Sequence, residues 1–145
     1  MIFRDINFFL KEKNISDIPI EVTYSGFIKK DSIKLIEAEF FQQYLNSVPL
    51  DYILKNSNFY GYNFYVDENV LIPRPETELI VEEVLKEELN KKIILELGTG
   101  SGNISISIKK ENPRVIIYAT DISMGALMTA KKNAKFNEAD RIIFM

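Results

Sequence analysis

Two residue types with wide catalytic use are missing from this chain of 145 residues: it has no cysteine and no histidine. Without them there is no thiol nucleophile, no disulfide, no zinc site of the usual ligand types and no histidine-based triad. A cysteine-free chain is compatible with a reducing compartment. An excess of basic residues is also lacking. Eighteen Lys and Arg stand against 21 Asp and Glu, giving a net charge of −3 and a pI near 5.1. That balance carries no footprint for nucleic acid, so no direct nucleic-acid contact is expected and a protein or small-molecule partner fits better. Long apolar runs are missing too. Arg4, Asp5 and Lys11 interrupt the N-terminal stretch MIFRDINFFLKEKN, leaving neither a membrane span nor a signal-peptide core. The expected location is the cytoplasm. The length suits one ordinary domain or two small ones.

What is present divides into two halves with a boundary near residues 67–78. The first half reads mainly as helices. Ile2, Ile6, Phe9 and Leu10 share a helical face, and Asp31 is placed to cap a helix carrying Ile33, Ile36, Phe40 and Tyr44. Pro49 is suited to start a short helix, PLDYILK. In NFYGYNFYV, residues 58–66, aromatics flank Gly61 and predict a tight hairpin whose rings pack at the domain junction. Pro75 then opens a helix, with Glu76 and Glu78 favoured by its dipole. The buried stripe expected there is Ile80, Val81, Val84, Leu85 and Leu89.

From Lys92 onward, strands and helices alternate. The strands are Ile93–Leu97, Val115–Thr120 and the segment RIIFM starting at Arg141. Ile104 and Ile108 mark the buried side of the first intervening helix, and Leu127, Ala130 and Ala134 that of the second. Near-continuous apolar strands separated by helices predict a parallel α/β sheet buried on both faces.

The stretch ILELGTGSGN joins the first of these strands to its helix. In such a crossover, ligands bind beyond the carboxyl ends of the strands. Gly98, Gly100 and Gly102 permit close approach to the backbone and positive φ. Glu96 and Asp121, each at a strand end, face the same crevice. Asp121 follows the loop at the separation expected of a carboxylate that accepts from ribose hydroxyls. A dinucleotide loop reads GxGxxG and offers its helix N-terminus to pyrophosphate. Here the pattern is GxGxG behind an acid, and a carboxylate there repels pyrophosphate but attracts an ammonium group. The ligand inferred is a nucleoside with a cationic tail, which S-adenosyl-L-methionine fits and NAD fits poorly, so an NAD-dependent oxidoreductase is the disfavoured alternative.

These residues carry a family resemblance. ILELGTGSGNISI resembles motif I of the class I S-adenosylmethionine-dependent methyltransferases. VLIPRPETE, with FYGYNFYV before it and PLDYI at 49–53, is similar to the HemK/PrmC family. The resemblance implies methylation of the side-chain nitrogen of a glutamine in a peptide chain release factor. It also implies residues 1–70 as a helical domain with connecting hairpin that engages the release factor, and residues 71–145 as a Rossmann-like catalytic domain. Glu96, Gly98, Thr99, Gly100, Ser101, Gly102 and Asp121 then match the cofactor site, and Pro73, Arg74 and Pro75 a motif that shapes the active site. A related enzyme acting on ribosomal protein L3 shares much of the signature, and a non-catalytic release-factor-binding module remains an alternative.

The family's substrate motif, Asn-Pro-Pro-Tyr after the fourth strand, does not occur in these 145 residues. The resemblance therefore implies a fragment: no catalytic residue falls within it, and methyl transfer by the isolated chain is not expected. A missing fourth strand also leaves Ile93–Leu97 as an unpaired edge, a template for aggregation.

Overall fold

A computed structural model describes residue 43 and residues 46–87 and 92–145. The chain forms two compact units, Met1–Leu54 and Lys55–Met145. The helices expected within residues 1–42 lie outside the described residues. In the first unit, helix α1 (Leu50–Leu54) follows Pro49, whose carbonyl accepts from the amides of Tyr52 at 3.0 Å and Ile53 at 3.2 Å. Proline fixes the entry φ and has no amide to leave unpaired, so it starts this turn as expected.

The second unit opens with an antiparallel hairpin, β1 (Ser57–Phe59) and β2 (Tyr62–Phe64). Tyr60 and Gly61 turn it with φ of 51° and 76°, the handedness that suits the strand twist. Phe59 and Phe64 share a face, meet edge to face at 6.1 Å between centroids, and are wholly buried. They lie in one core with Val81, Ile106, Ile108, Val115 and Ile117. The hairpin is thus part of the second unit, which begins earlier than a boundary near residue 70. Its rings are removed from water by that unit's own helices and sheet.

Past the hairpin, Val66 and Val70 are buried. A 3-10 turn at Pro75–Thr77 leads into helix α2 (Glu78–Lys86). The Glu78 carboxylate accepts the Tyr60 amide at 2.7 Å, tying the helix start to the hairpin turn. Val81 is buried and Val84 and Leu85 pack on the core, whereas Ile80 is half exposed at 50% and Leu89 lies outside the described residues. The inward stripe is therefore narrower than the sequence periodicity suggests.

The remaining elements alternate: β3 (Ile93–Leu97), α3 (Asn103–Glu111), β4 (Ile116–Thr120), α4 (Met124–Phe136) and β5 (Ile142–Phe144). The strands are parallel in the order β3-β4-β5. Strand order follows chain order, and parallel crossovers are right-handed, so α3 and α4 fall on one face of the sheet. Ile117 and Ala119 are buried on that face. On the other, Ile93, Leu95, Leu97, Ile116 and Ile143 are 42–77% exposed. This corrects the expectation of two covered faces: apolar composition makes both faces buriable, but among the described residues only one is covered. Among the described residues, strand β3 is a sheet edge.

Ser123 caps α4, its hydroxyl accepting the Ala126 amide at 3.2 Å. Ser123→Ala is expected to cost about 1 kcal/mol, read from the urea midpoint, because one terminal amide loses its acceptor. Among the described residues, no helix is long and apolar enough to cross a membrane.

Candidate functional site

The carboxyl ends of β3 and β4 meet at the glycine loop. Amides of Gly98 and Thr99 both donate to the Thr120 carbonyl at 2.8 Å, and the Thr120 hydroxyl donates to the Glu96 carbonyl at 3.0 Å. These bonds hold the loop against the neighbouring strand. Gly98, Gly100 and Gly102 all have positive φ, at 76°, 56° and 79°. A Cβ added at Gly98 or Gly100 would meet nothing within 4 Å, so the loop has an open side there. Gly102 differs. It precedes α3 directly, and a Cβ would lie 2.9 Å from Ile106 Cδ1 and 3.2 Å from Ala130 Cβ. The third glycine seats the helix, and the first two bound the crevice.

The two carboxylates flank this loop. Glu96 accepts the Thr99 hydroxyl at 2.8 Å on Oε2, which also accepts the Ser105 hydroxyl. Burial raises the Glu96 pKa; the donors from Ser105 and Thr99 pull it back, and the charge of Asp121 adds to the rise. Asp121 Oδ2 accepts the Gly100 amide at 2.9 Å, and Oδ1 accepts the Ser123 amide at 2.9 Å. Each oxygen keeps a further lone pair. Asp121 therefore fixes the loop and still presents acceptors.

Glu96, Gly98, Thr99, Gly100, Ser101, Gly102 and Asp121 are thus brought together. Thr99 and Ser101 are buried, their hydroxyls donating to Glu96 and to Asn103. Pro73, Arg74 and Pro75 stand at the entry of the 3-10 turn, with Pro73 buried and Arg74 exposed. The Arg74 side chain has no hydrogen bond or ion pair among the described residues. Ile122, which directly follows Asp121, is fully exposed. Among the described residues no cluster of acids is disposed to hold a metal ion.

The family model "Methyltransferase small domain" matches residues 75–145. The release factor glutamine methyltransferase of Flavobacterium psychrophilum is 45% identical over 128 residues, covering 83% of this chain and 45% of the relative. That of Neisseria gonorrhoeae is 43% identical over 113 residues, covering 78% and 41%. The crystal structure of M. jannaschii TYW2 in complex with AdoMet superposes with a TM-score of 0.53 at 17% identity, over 62% of this chain and 41% of that one. The parallel sheet, its crossovers and the glycine turn define a Rossmann-like class I methyltransferase fold. Within that class, the sequence relatives place the chain with the HemK/PrmC family, whose matched members are named release factor glutamine methyltransferases. It spans less than half the length of these curated relatives.

Proposed function

We propose that this chain supplies the S-adenosyl-L-methionine site of an enzyme that methylates a glutamine side-chain nitrogen in a peptide chain release factor. The observation that carries the reading is the open side of the loop at Gly98 and Gly100, set between Glu96 and Asp121. The residues fit the cofactor. Glu96 offers a carboxylate to an ammonium group, Asp121 offers acceptors to ribose hydroxyls, and Ile122 offers an apolar surface to a flat base. The open glycine backbone admits the chain that joins them.

When bound, S-adenosylmethionine supplies a methyl group on a positively charged sulfur. The site residues of this chain bind and orient. An amide nitrogen is weakly nucleophilic, so its activation is a matter of placement. The groups that orient the glutamine are proposed to lie outside these residues, consistent with the absence of Asn-Pro-Pro-Tyr from the sequence. Residues 1–70 and the Pro73–Pro75 motif are assigned to engaging the release factor and shaping the active site.

Calorimetry of the chain with S-adenosylhomocysteine and with NAD tests the cofactor. Saturable binding of S-adenosylhomocysteine alone is expected, and binding of NAD alone would overturn the reading. A release-factor pull-down, run beside a methylation assay with release factor and with ribosomal protein L3, tests the substrate. Capture of release factor without methyl transfer is expected of the isolated chain, and preference for L3 would reassign the substrate.

A further inference from the structure

Asn133 lies on α4, is fully buried, and touches two segments far from it in sequence. Its Oδ1 accepts the Tyr65 amide at 2.7 Å. Its Nδ2 donates to the Tyr65 carbonyl at 2.9 Å and to the Ser101 carbonyl at 2.9 Å. Both amide hydrogens are used, and the pair to Tyr65 imitates what a neighbouring strand would offer. The third bond reaches the cofactor loop between Gly100 and Gly102. The Ser101 carbonyl shares a rigid peptide plane with the Gly102 amide, which donates to the Thr99 carbonyl at 2.8 Å. Holding that carbonyl therefore holds the plane from which α3 starts.

One turn along α4, Asn137 makes a similar but incomplete contact. Its Nδ2 donates to the Asn63 carbonyl at 3.0 Å and to the Asn133 carbonyl, with no bond to the loop. Both asparagines tie the hairpin to α4, but only Asn133 also ties it to the glycine turn. Beyond Tyr65 the chain stays against α4: Asn69 Oδ1 lies 2.5 Å from where a Cβ on Gly125 would be.

We propose that Asn133 is a positioning residue that couples the cofactor loop to the segment from Tyr65 to Val70. Loop geometry and segment order then rise and fall together, so occupancy of the loop is transmitted toward Pro73–Pro75. The coupling rests on the proposal that the loop receives S-adenosylmethionine. It goes beyond that proposal by giving the site a mechanical link to the segment outside it.

Calorimetry with S-adenosylhomocysteine on the 145-residue chain, on Asn133→Ala and on Asn137→Ala tests it. Loss of a buried three-bond amide is expected to weaken binding on the order of tenfold or more in Asn133→Ala. Asn137→Ala, which loosens only the hairpin, is expected to stay within about twofold of the parent. A folded Asn133→Ala with parental affinity overturns the proposal. If that variant does not fold, amide exchange in the parent chain decides. Protection at both Tyr65 and Gly102 is expected to rise when S-adenosylhomocysteine is added, and a rise at Gly102 alone overturns the coupling. If the parent chain binds no S-adenosylhomocysteine, the cofactor reading fails separately. Coupling is then read in the free chain, where the Tyr65 and Gly102 amides are expected to open together, with protection within about tenfold. A wider separation overturns it.

Discussion

Gly102→Val is expected to destabilise the second unit by about 2–5 kcal/mol, lowering the urea midpoint without a change in slope. Two separate effects add. At φ of 79° a side chain with a Cβ is strained, by about 1–2 kcal/mol. The Cβ also meets Ile106 Cδ1 at 2.9 Å and Ala130 at 3.2 Å to its Cβ and 3.4 Å to its Cα. The Ile106 methyl sits at the end of a flexible chain, but the Ala130 backbone does not yield without moving α4. Overpacking of this kind adds about 1–3 kcal/mol. Against the 5–15 kcal/mol that is typical of a domain, this is a large share.

Gly98→Ala separates the two effects. It has φ of 76° and no atom within 4 Å of the added Cβ, so only the strain remains, about 1–2 kcal/mol. The methyl group projects into the open side of the loop, so ligand binding is expected to fall more than stability does. If Gly98→Ala and Gly102→Val shift the midpoint equally, the packing role given to Gly102 is wrong.

How far the sequence foretold these features depends on the range of the interactions involved. The β3, α3, β4 and α4 boundaries were legible because apolar periodicity and turn residues act over a few neighbours. The acid at the end of β3, the glycine turn and Asp121 were legible because one crossover fixes their spacing. The hairpin's allegiance was not, since nothing in NFYGYNFYV states which helices will cover Phe59 and Phe64. Nor was the one-sided sheet: Leu95 and Ile117 are equally apolar, and only strand order decides that Ile117 is covered while Leu95 is 61% exposed. Ile80 was misplaced for a related reason, because the stripe on α2 is as wide as its partner surface permits. Asn133 carried a faint signal. It stands three residues after Ala130 on the buried side of α4, where a polar residue needs partners. Sequence cannot say that those partners are Tyr65 and Ser101.

Glu96→Gln is expected to have opposite effects on the free chain and on ligand binding. The Glu96 carboxyl is driven up from 4.5, chiefly by burial and further by the charge of Asp121, against the pull of the Ser105 and Thr99 donors. A carboxyl whose folded pKa is raised favours the folded state while protonated. Its contribution is full below pH 4.5 and is lost as pH rises through the folded value. At neutral pH the ionised group therefore opposes folding. Glutamine removes the charge and keeps an oxygen that can accept from Thr99 and Ser105. The variant is expected to be more stable than the parent at about pH 8, with the advantage vanishing below the unfolded carboxyl value of 4.5. Thermal unfolding across that range measures it. An advantage that grows toward acid pH would show that Glu96 is stabilising when charged. Binding moves the other way. The proposed ligand brings an ammonium group whose hydrogen bond to a charged partner is worth about 1.5–3 kcal/mol, so Glu96→Gln should weaken S-adenosylhomocysteine by about 10–100-fold. In the parent chain, affinity should also fall as pH drops through the raised Glu96 value, and in the variant that dependence should disappear. The carboxylate would then be a group held charged at a cost to the fold, and recovered by its ligand. A variant that binds as tightly as the parent would remove Glu96 from the site and leave it as a cap on the Thr99–Ser105 turn.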